Sequence, residues 1–334
     1  MSVVDVVAAI MFLAVVLYAV FAGADFGSGV WDLTAGDALR GGRLRRLIDH
    51  AIGPVWEANH VWLVFVLVFL WTGFPDAFAS LMRTLAIPFW LAGLGIVLRG
   101  AGFAFRKFSP TLRWARVAGV LFAGSSLITP FFLGAIAGGV ASGRVPAEGT
   151  GAPWSSWLNP TSILGGVLAV STCTFLAGVF LAADAAGLGA SDLAERLRRR
   201  SLAVGAATGA LALVGIVPLA IDAETLFDRL ASRGAPLVAV SALGGAATLV
   251  LLHRGQLRAA RLGAVIAVGS IVVGWGVAQY PWILVDELGV DDAAAEPVTL
   301  WGLVIASGLA AVLVVPPLLY LYLLADRNQV GVEH

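Results

Sequence analysis

Glu57 and His60 stand three residues apart in "GPVWEANHVWLVFVLVFLW" (53–71), ahead of a stretch, Leu63 to Trp71, that carries no charge. On a helix the two share a face, and Trp56 lies one turn from His60. Asp25 closes another apolar run, in "VFAGADFGSG" (20–29). The apolar "FGSGVW" (26–31) follows it, which places this carboxylate beneath the membrane surface. Arg99 and Asp184 end two further apolar runs. A carboxyl group displaced from water has a raised pKa and exchanges protons near neutrality. Imidazole already titrates there. Ionisable groups inside a membrane are costly, and they mark proton or ion routes. The chemistry these types suggest is proton uptake through Asp25 and Glu57, with His60 as a further station. A structural alternative is open beside it. Arg99 could neutralise Glu57 or Asp25 in an ion pair, Asp25 could cap a helix, and Trp56 and Trp62 could belong to an aromatic belt. Asp184 sits beside a basic loop, and Arg83 reads as a snorkelling side chain.

The elements that position these groups follow from composition. Of 334 residues, 59% are hydrophobic and only 13% charged, about half the charge of a soluble domain. The 40 glycines suit membrane helices, where glycine is enriched. The one cysteine, Cys173, lies in an apolar run, so neither a disulfide framework nor a zinc site is expected. Formal net charge is zero, which leaves no footprint for nucleic acid. The opening "MSVVDVVAAIMFLAVVLYAV" lacks a basic n-region and reads as a retained first span.

A span needs about 20 apolar residues. Nine segments qualify, near 5–24, 54–73, 78–98, 117–140, 161–183, 202–221, 235–252, 262–283 and 300–324. Between them, 32–50, 142–160 and the acidic 286–297 read as loops. With nine spans, 17 of the 21 basic residues fall on one side; Arg83, Arg144, Arg229 and Arg233 do not. Basic residues accumulate in the cytoplasm, so the N-terminus is expected outside and the C-terminus inside. Asp25, Glu57, Arg99 and Asp184 then gather in the cytoplasmic half of the membrane. "VFAGADFGSG" is echoed by "VFLAADAAGLG" (179–189), each at the end of the first of four spans. The expected fold is an all-α polytopic membrane protein. Two tandem four-helix bundles, 1–140 and 141–283, precede a peripheral ninth helix and cytoplasmic tail, 284–334.

Haem needs axial His, Met, Cys or Tyr. Of His50, His60, His253 and His334, only His60 lies well inside a candidate span. A bis-His haem in this chain is therefore not expected, and a redox centre would belong to another chain. No phosphate-binding loop, Ser-His-Asp arrangement or metal-ligand cluster is visible.

"GADFGSGVWDL" (23–33), "GPVWEANHVWLV" (53–64), "LRGAGFAFR" (98–106) and "QYPWILVDE" (279–287) resemble cytochrome bd ubiquinol oxidase subunit II, in order, spacing and span layout. The resemblance implies a pseudo-symmetric heterodimer with subunit I in the bacterial cytoplasmic (inner) membrane. Subunit I would carry two b-type haems, one d-type haem and the quinol site. Such a complex oxidises quinol, reduces oxygen to water and takes its protons from the cytoplasm without pumping. This subunit usually binds no haem. Some members hold a structural quinone or lipid in it, and a small accessory transmembrane subunit can attach. By resemblance, Asp25 and Glu57 fall on acidic positions linked with a proton path. Trp62 falls on a tryptophan associated with oxygen access, and Arg99 on the arginine after helix three. The family supplies no fixed duty for His60 and no counterpart for Arg83. Two other classes compete: a secondary transporter with intramembrane carboxylates, and a purely structural scaffold for a haem-bearing partner.

Overall fold

A computed structural model describes residues 2–36, 38–53, 56–108 and 111–330, without the side chains of 38–40, 57, 107, 108, 112, 115, 322 and 325–330. The order is α1 (Val3–Leu33), α2 (Ala38–Ile52), α3 (Trp56–Gly73), α4 (Pro75–Thr84), α5 (Ala86–Phe108), α6 (Leu112–Ala141) and α7 (Pro160–Gly187). It continues with α8 (Ser191–Val214), α9 (Ile216–Asp222), α10 (Glu224–Ser232), α11 (Ala235–His253) and α12 (Leu257–Gln279). A short antiparallel hairpin, β1 (Trp282–Leu284) and β2 (Leu288–Gly289), precedes α13 (Pro297–Val330).

Among the described residues, eight helical segments are long and apolar enough to cross a membrane, with α8 and α9 counted as one. A ninth candidate is the α3–α4 pair, bent by 116°. The bend falls at Phe74–Pro75, where proline opens α4, a position at which its missing N–H costs nothing. The third span was expected from 78. It begins instead at Ala86, because 75–84 form a helix of their own.

Two apolar clusters hold the ends of the bundle. At one end, Trp31, Leu44, Leu47, Ile48, Ile52, Phe122 and Leu181 join α1, α2, α6 and α7. We call this the α2 end. At the other, Val7, Ala77, Leu81, Leu85, Trp157, Leu284 and Leu300 join α1, α4 and its junction with α5, the 142–160 segment, the hairpin and α13. The 32–50 stretch is therefore not a loop. α1 runs on to Leu33, and α2 is an amphipathic helix that buries Leu44, Leu47, Ile48 and Ile52 on one face. Each such side chain contributes about 1.5–3 kcal/mol when fully buried.

α1 runs closely against α7. A Cβ on Gly27 would lie 1.8 Å from the Cys173 carbonyl oxygen, so the backbones meet where glycine stands. Small residues allow this in membranes, where packing rather than water drives association. At the hairpin end, Asp222 accepts from Arg144 and from the Thr161 backbone N–H (3.1 Å) and hydroxyl (2.6 Å), tying α9 to the start of α7.

Candidate functional site

Because α1 continues eight residues past Asp25, this carboxylate lies inside the bundle, 4% exposed. Arg99 of α5 reaches it and is 1% exposed. Its Nη2 donates to Asp25 Oδ1 at 2.6 Å and to the Asp25 carbonyl at 2.9 Å, while Nη1 donates to Ser126 of α6. Ser126 in turn donates to the Phe122 carbonyl at 2.6 Å. The guanidinium carbon lies 4.9 Å from the Phe26 ring centre and 4.6 Å from that of Phe122. Gly29 makes room for this arrangement, since a Cβ there would lie 2.2 Å from Ser126 Oγ. The ion pair considered from sequence is thus present, and it joins Arg99 to Asp25. It leaves one vertex open: Asp25 Oδ2 is buried with no hydrogen-bond partner among the described residues. A carboxylate has room for about four acceptor contacts, and a buried oxygen without one costs about 1–3 kcal/mol. Such an atom is suited to a water or a proton.

Sequence reasoning missed a second rung. Asp32, seven residues further along α1, is 4% exposed and lies on the same helix face. It accepts from Arg45 Nε at 2.7 Å and from Arg106, which also donates to Asp49 of α2. The Arg106 guanidinium lies 5.0 Å from the centre of the Phe122 ring that Arg99 also flanks. Burial pushes the Asp49 carboxyl above its ordinary value, against the opposing pull of Arg106. The readable signal was spacing: Asp25 and Asp32 match Arg99 and Arg106, seven residues apart on each helix.

The remaining predicted residues separate. His60 is half-buried on α3, with Nδ1 3.5 Å from the Tyr18 hydroxyl and its ring 5.8 Å from Phe26. The neighbouring Asn59 is 2% exposed and donates to the Phe21 carbonyl at 3.5 Å. Trp56 packs inward against Phe103 and Gly100 of α5, ring centres 5.6 Å apart in the first case. Trp62 is half-buried one helix turn past Asn59. The Glu57 backbone belongs to α3, and its side chain lies outside the described residues. Asp184, at the end of α7, pairs with Arg261 of α12, which also donates to the Phe180 carbonyl at 2.7 Å and lies over the Phe180 ring. Arg83 ends α4, exposed, donating to the Ala79 carbonyl at 3.2 Å. Among the described residues no three His, Cys, Asp or Glu side chains converge as a metal site. An apolar groove of about 430 Å³ lies between α6 and α7, lined by Leu127, Ile128, Phe131, Phe132, Val167 and Val170.

These features define an all-α polytopic membrane protein with carboxylate–guanidinium pairs buried toward one end of its bundle. Residues 3–325 match the family described as cytochrome bd terminal oxidase subunit II, and the chain belongs to that family. It is 32% identical over 157 residues to the cytochrome bd ubiquinol oxidase subunit 2 of Bacillus subtilis (strain 168). That match covers 46% of this chain and 45% of the relative, so it spans about half the relative's length. A chain in the structure of bd oxidase from Geobacillus thermodenitrificans superposes with a TM-score of 0.81 at 26% identity. That superposition covers 97% of this chain and 98% of the other.

Proposed function

We propose that this chain is subunit II of a bd-type quinol:oxygen oxidoreductase in the bacterial cytoplasmic membrane. In this reading it stabilises a haem-bearing subunit I and delivers cytoplasmic protons toward the oxygen-reduction site. The observation that carries the reading is Asp25, buried, held by Arg99 through one oxygen and open at the other. The haems of the partner, two b-type and one d-type, supply the electron transfer and the oxygen chemistry. This chain's residues handle protons. Arg99 fixes Asp25 Oδ1, so a proton taken from water can reside only on Oδ2 and leaves from the same atom. Glu57, at the head of α3, receives protons from the cytoplasm. Trp56 shields the polar point on the α5 side, and Trp62 stands toward the oxygen-access side.

The α2 end faces the cytoplasm in this reading, because the basic segments collect there. The N-terminus is then outside and the C-terminus inside. Residues 1–140 and 141–283 form tandem bundles, and 284–334 the ninth helix and tail. An acid paired with an arginine near the same end of α1 and of α7, the first span of each half, supports that division, although the arginines come from the third span of one half and the fourth of the other. The α6–α7 groove suits the tail of a structural quinone or lipid.

A second reading, a scaffold without proton duty, is favoured by the closeness of the Arg99–Asp25 pair, since buried pairs can be purely structural. Purification decides between these. The tagged chain, extracted in mild detergent, should bring a second large subunit with haem b and haem d bands in the reduced-minus-oxidised spectrum. Glu57→Gln in that complex should then lower oxygen consumption. Full turnover over a broad pH range with normal haem content would leave the scaffold. A colourless single chain, shown not to have dissociated from a partner, would overturn both.

A further inference from the structure

Tyr18 is the midpoint residue of α1 (Val3–Leu33). It stands seven residues before Asp25, as Asp25 stands seven before Asp32. Seven residues nearly complete two helical turns, so the three groups form one stripe, with steps of about 10.5 Å along the axis. Tyr18 is half-buried, and its hydroxyl faces His60 Nδ1 of α3 at 3.5 Å. The Tyr18 and His60 rings each meet the Phe26 ring, with centres 6.4 and 5.8 Å away, and Arg99 covers that same ring. A phenol at the midpoint of α1 and an imidazole in the second turn of α3, neither of them fully enclosed by this chain, are costly against lipid alone. Simple ring packing accounts for the aromatic contacts. It does not account for a hydroxyl aimed at a ring nitrogen.

We propose that Tyr18 and His60 are the inner stations of the proton route that Asp25 begins, passing protons from α1 to α3 and out toward the partner subunit. The inference rests on the reading of this chain as an oxidase subunit and deepens it. The step balances without ionising the phenol. A proton leaving Asp25 Oδ2 travels through water to the Tyr18 oxygen, and the hydroxyl proton moves on to His60 Nδ1. The imidazole then releases the proton on Nε2, and a ring flip or back-exchange through water resets the pair. The long 3.5 Å separation suits a bond that tightens when the route is filled, as resting-state hydrogen bonds often do. Asn59, buried on the same helix, donates to the Phe21 carbonyl of α1 at 3.5 Å and so holds α3 against α1 next to this pair. The groups that face this pair are Asp25 and Phe26 of α1, Trp56 of α3, Arg99 of α5 and Cys173 of α7.

The test uses Tyr18→Phe, which removes one oxygen and keeps the ring, in the purified haem-containing complex. Oxygen consumption per haem is recorded against pH, with Asp25→Asn measured in parallel. Loss of a relay group should lower turnover by about tenfold or more, increasingly as pH rises and protons become scarce, and should enlarge the solvent deuterium effect. His60→Leu should match it, and the double variant should be no worse than either, as expected for groups acting in series. His60→Gln, which keeps a hydrogen-bonding side chain but cannot take up a proton, should be as impaired as His60→Leu; recovery of activity in it would assign His60 a structural role instead. If Tyr18→Phe and His60→Leu keep turnover within about twofold at every pH while Asp25→Asn is inactive, the route leaves Asp25 another way. The inference then fails while the oxidase reading stands. Full activity in Asp25→Asn as well would remove this chain's proton duty along with the inference and leave it as a scaffold of the oxidase.

Discussion

Replacing Arg99 with methionine tests the pair at the centre of the site. The side chains of Arg99 and Asp25 are 1% and 2% exposed, so solvent screens little of their interaction. Methionine keeps the apolar stem of the side chain, while the positive charge and the guanidinium's contacts with the Phe26 and Phe122 rings disappear. Asp25 is then a buried carboxylate with no counter-charge among the described residues, and Ser126 loses its donor. Breaking a buried pair from one side costs about 3–5 kcal/mol, a large part of a total stability of about 5–15 kcal/mol. Adding Asp25→Asn removes the stranded charge. The double variant should therefore recover at least about 2 kcal/mol, since replacing both members of a buried pair is often near neutral. The assay is denaturant titration of the detergent-solubilised complex, followed by helical circular dichroism, for the four members of the cycle. A coupling below about 0.5 kcal/mol, the additivity expected of independent sites, would refute the claim that this pair joins α1 to α5.

Gly27→Val should push α1 from α7, because the first added carbon already collides with the Cys173 carbonyl; overpacking of this kind costs about 1–3 kcal/mol and would appear as a lower yield of assembled complex. Asp49 should make the docking of α2 pH-dependent. Its carboxyl is raised in the folded protein, so its contribution to stability is fully present below the ordinary value of 3.8 and is lost as pH climbs through the raised value. Hydrogen-exchange protection factors of α2 should fall over that window, and Asp49→Asn should flatten the fall; an unchanged slope would contradict the assignment. Asp184→Asn should destabilise the α7–α12 contact by about 3 kcal/mol yet leave oxygen turnover per haem unchanged, so a proportionate loss of turnover would place Asp184 on the route.

Hydropathy made the spans legible, because a membrane helix must be apolar over its whole length. It could not show where a helix stops once polar groups are paired inside the bundle. "WDLTAGDALRGG" looks like a loop by composition, yet Asp32 is neutralised by Arg45 and Arg106, and α1 extends into it as far as Leu33. The i, i+3, i+4, i+8 spacing of Leu44, Leu47, Ile48 and Ile52 was the available sign of α2. The bend at Pro75 was signalled by proline. That residues 75–84 would form a separate helix depended on packing against the 142–160 segment, where Ser80 donates to the Ala147 carbonyl at 2.8 Å. At the site, sequence gathered Asp25, Glu57, Arg99 and Asp184 in the cytoplasmic half of the membrane, with His60 on the face of Glu57, but left the partner of Arg99 open between Asp25 and Glu57. The echoed "VF–AD" located both acids. It did not disclose that their arginines come from different helices, Arg99 from α5 and Arg261 from α12, because pairing across a bundle depends on helix rotation. Tyr18 escaped notice because one tyrosine in an apolar run looks like any aromatic filler until His60 stands opposite it.

The most direct measurement is steady-state oxygen consumption by the Asp25→Asn complex, normalised to haem content, across about pH 6 to 9. Asparagine keeps the shape and the bond to Arg99 but cannot carry a proton on the open oxygen. The account predicts a loss of about tenfold or more, the size typical of a removed acid–base group, in a complex with its full complement of haem. Turnover equal to that of the unaltered complex at every pH would contradict it, leaving Asp25 as a structural partner of Arg99 and this chain as a scaffold.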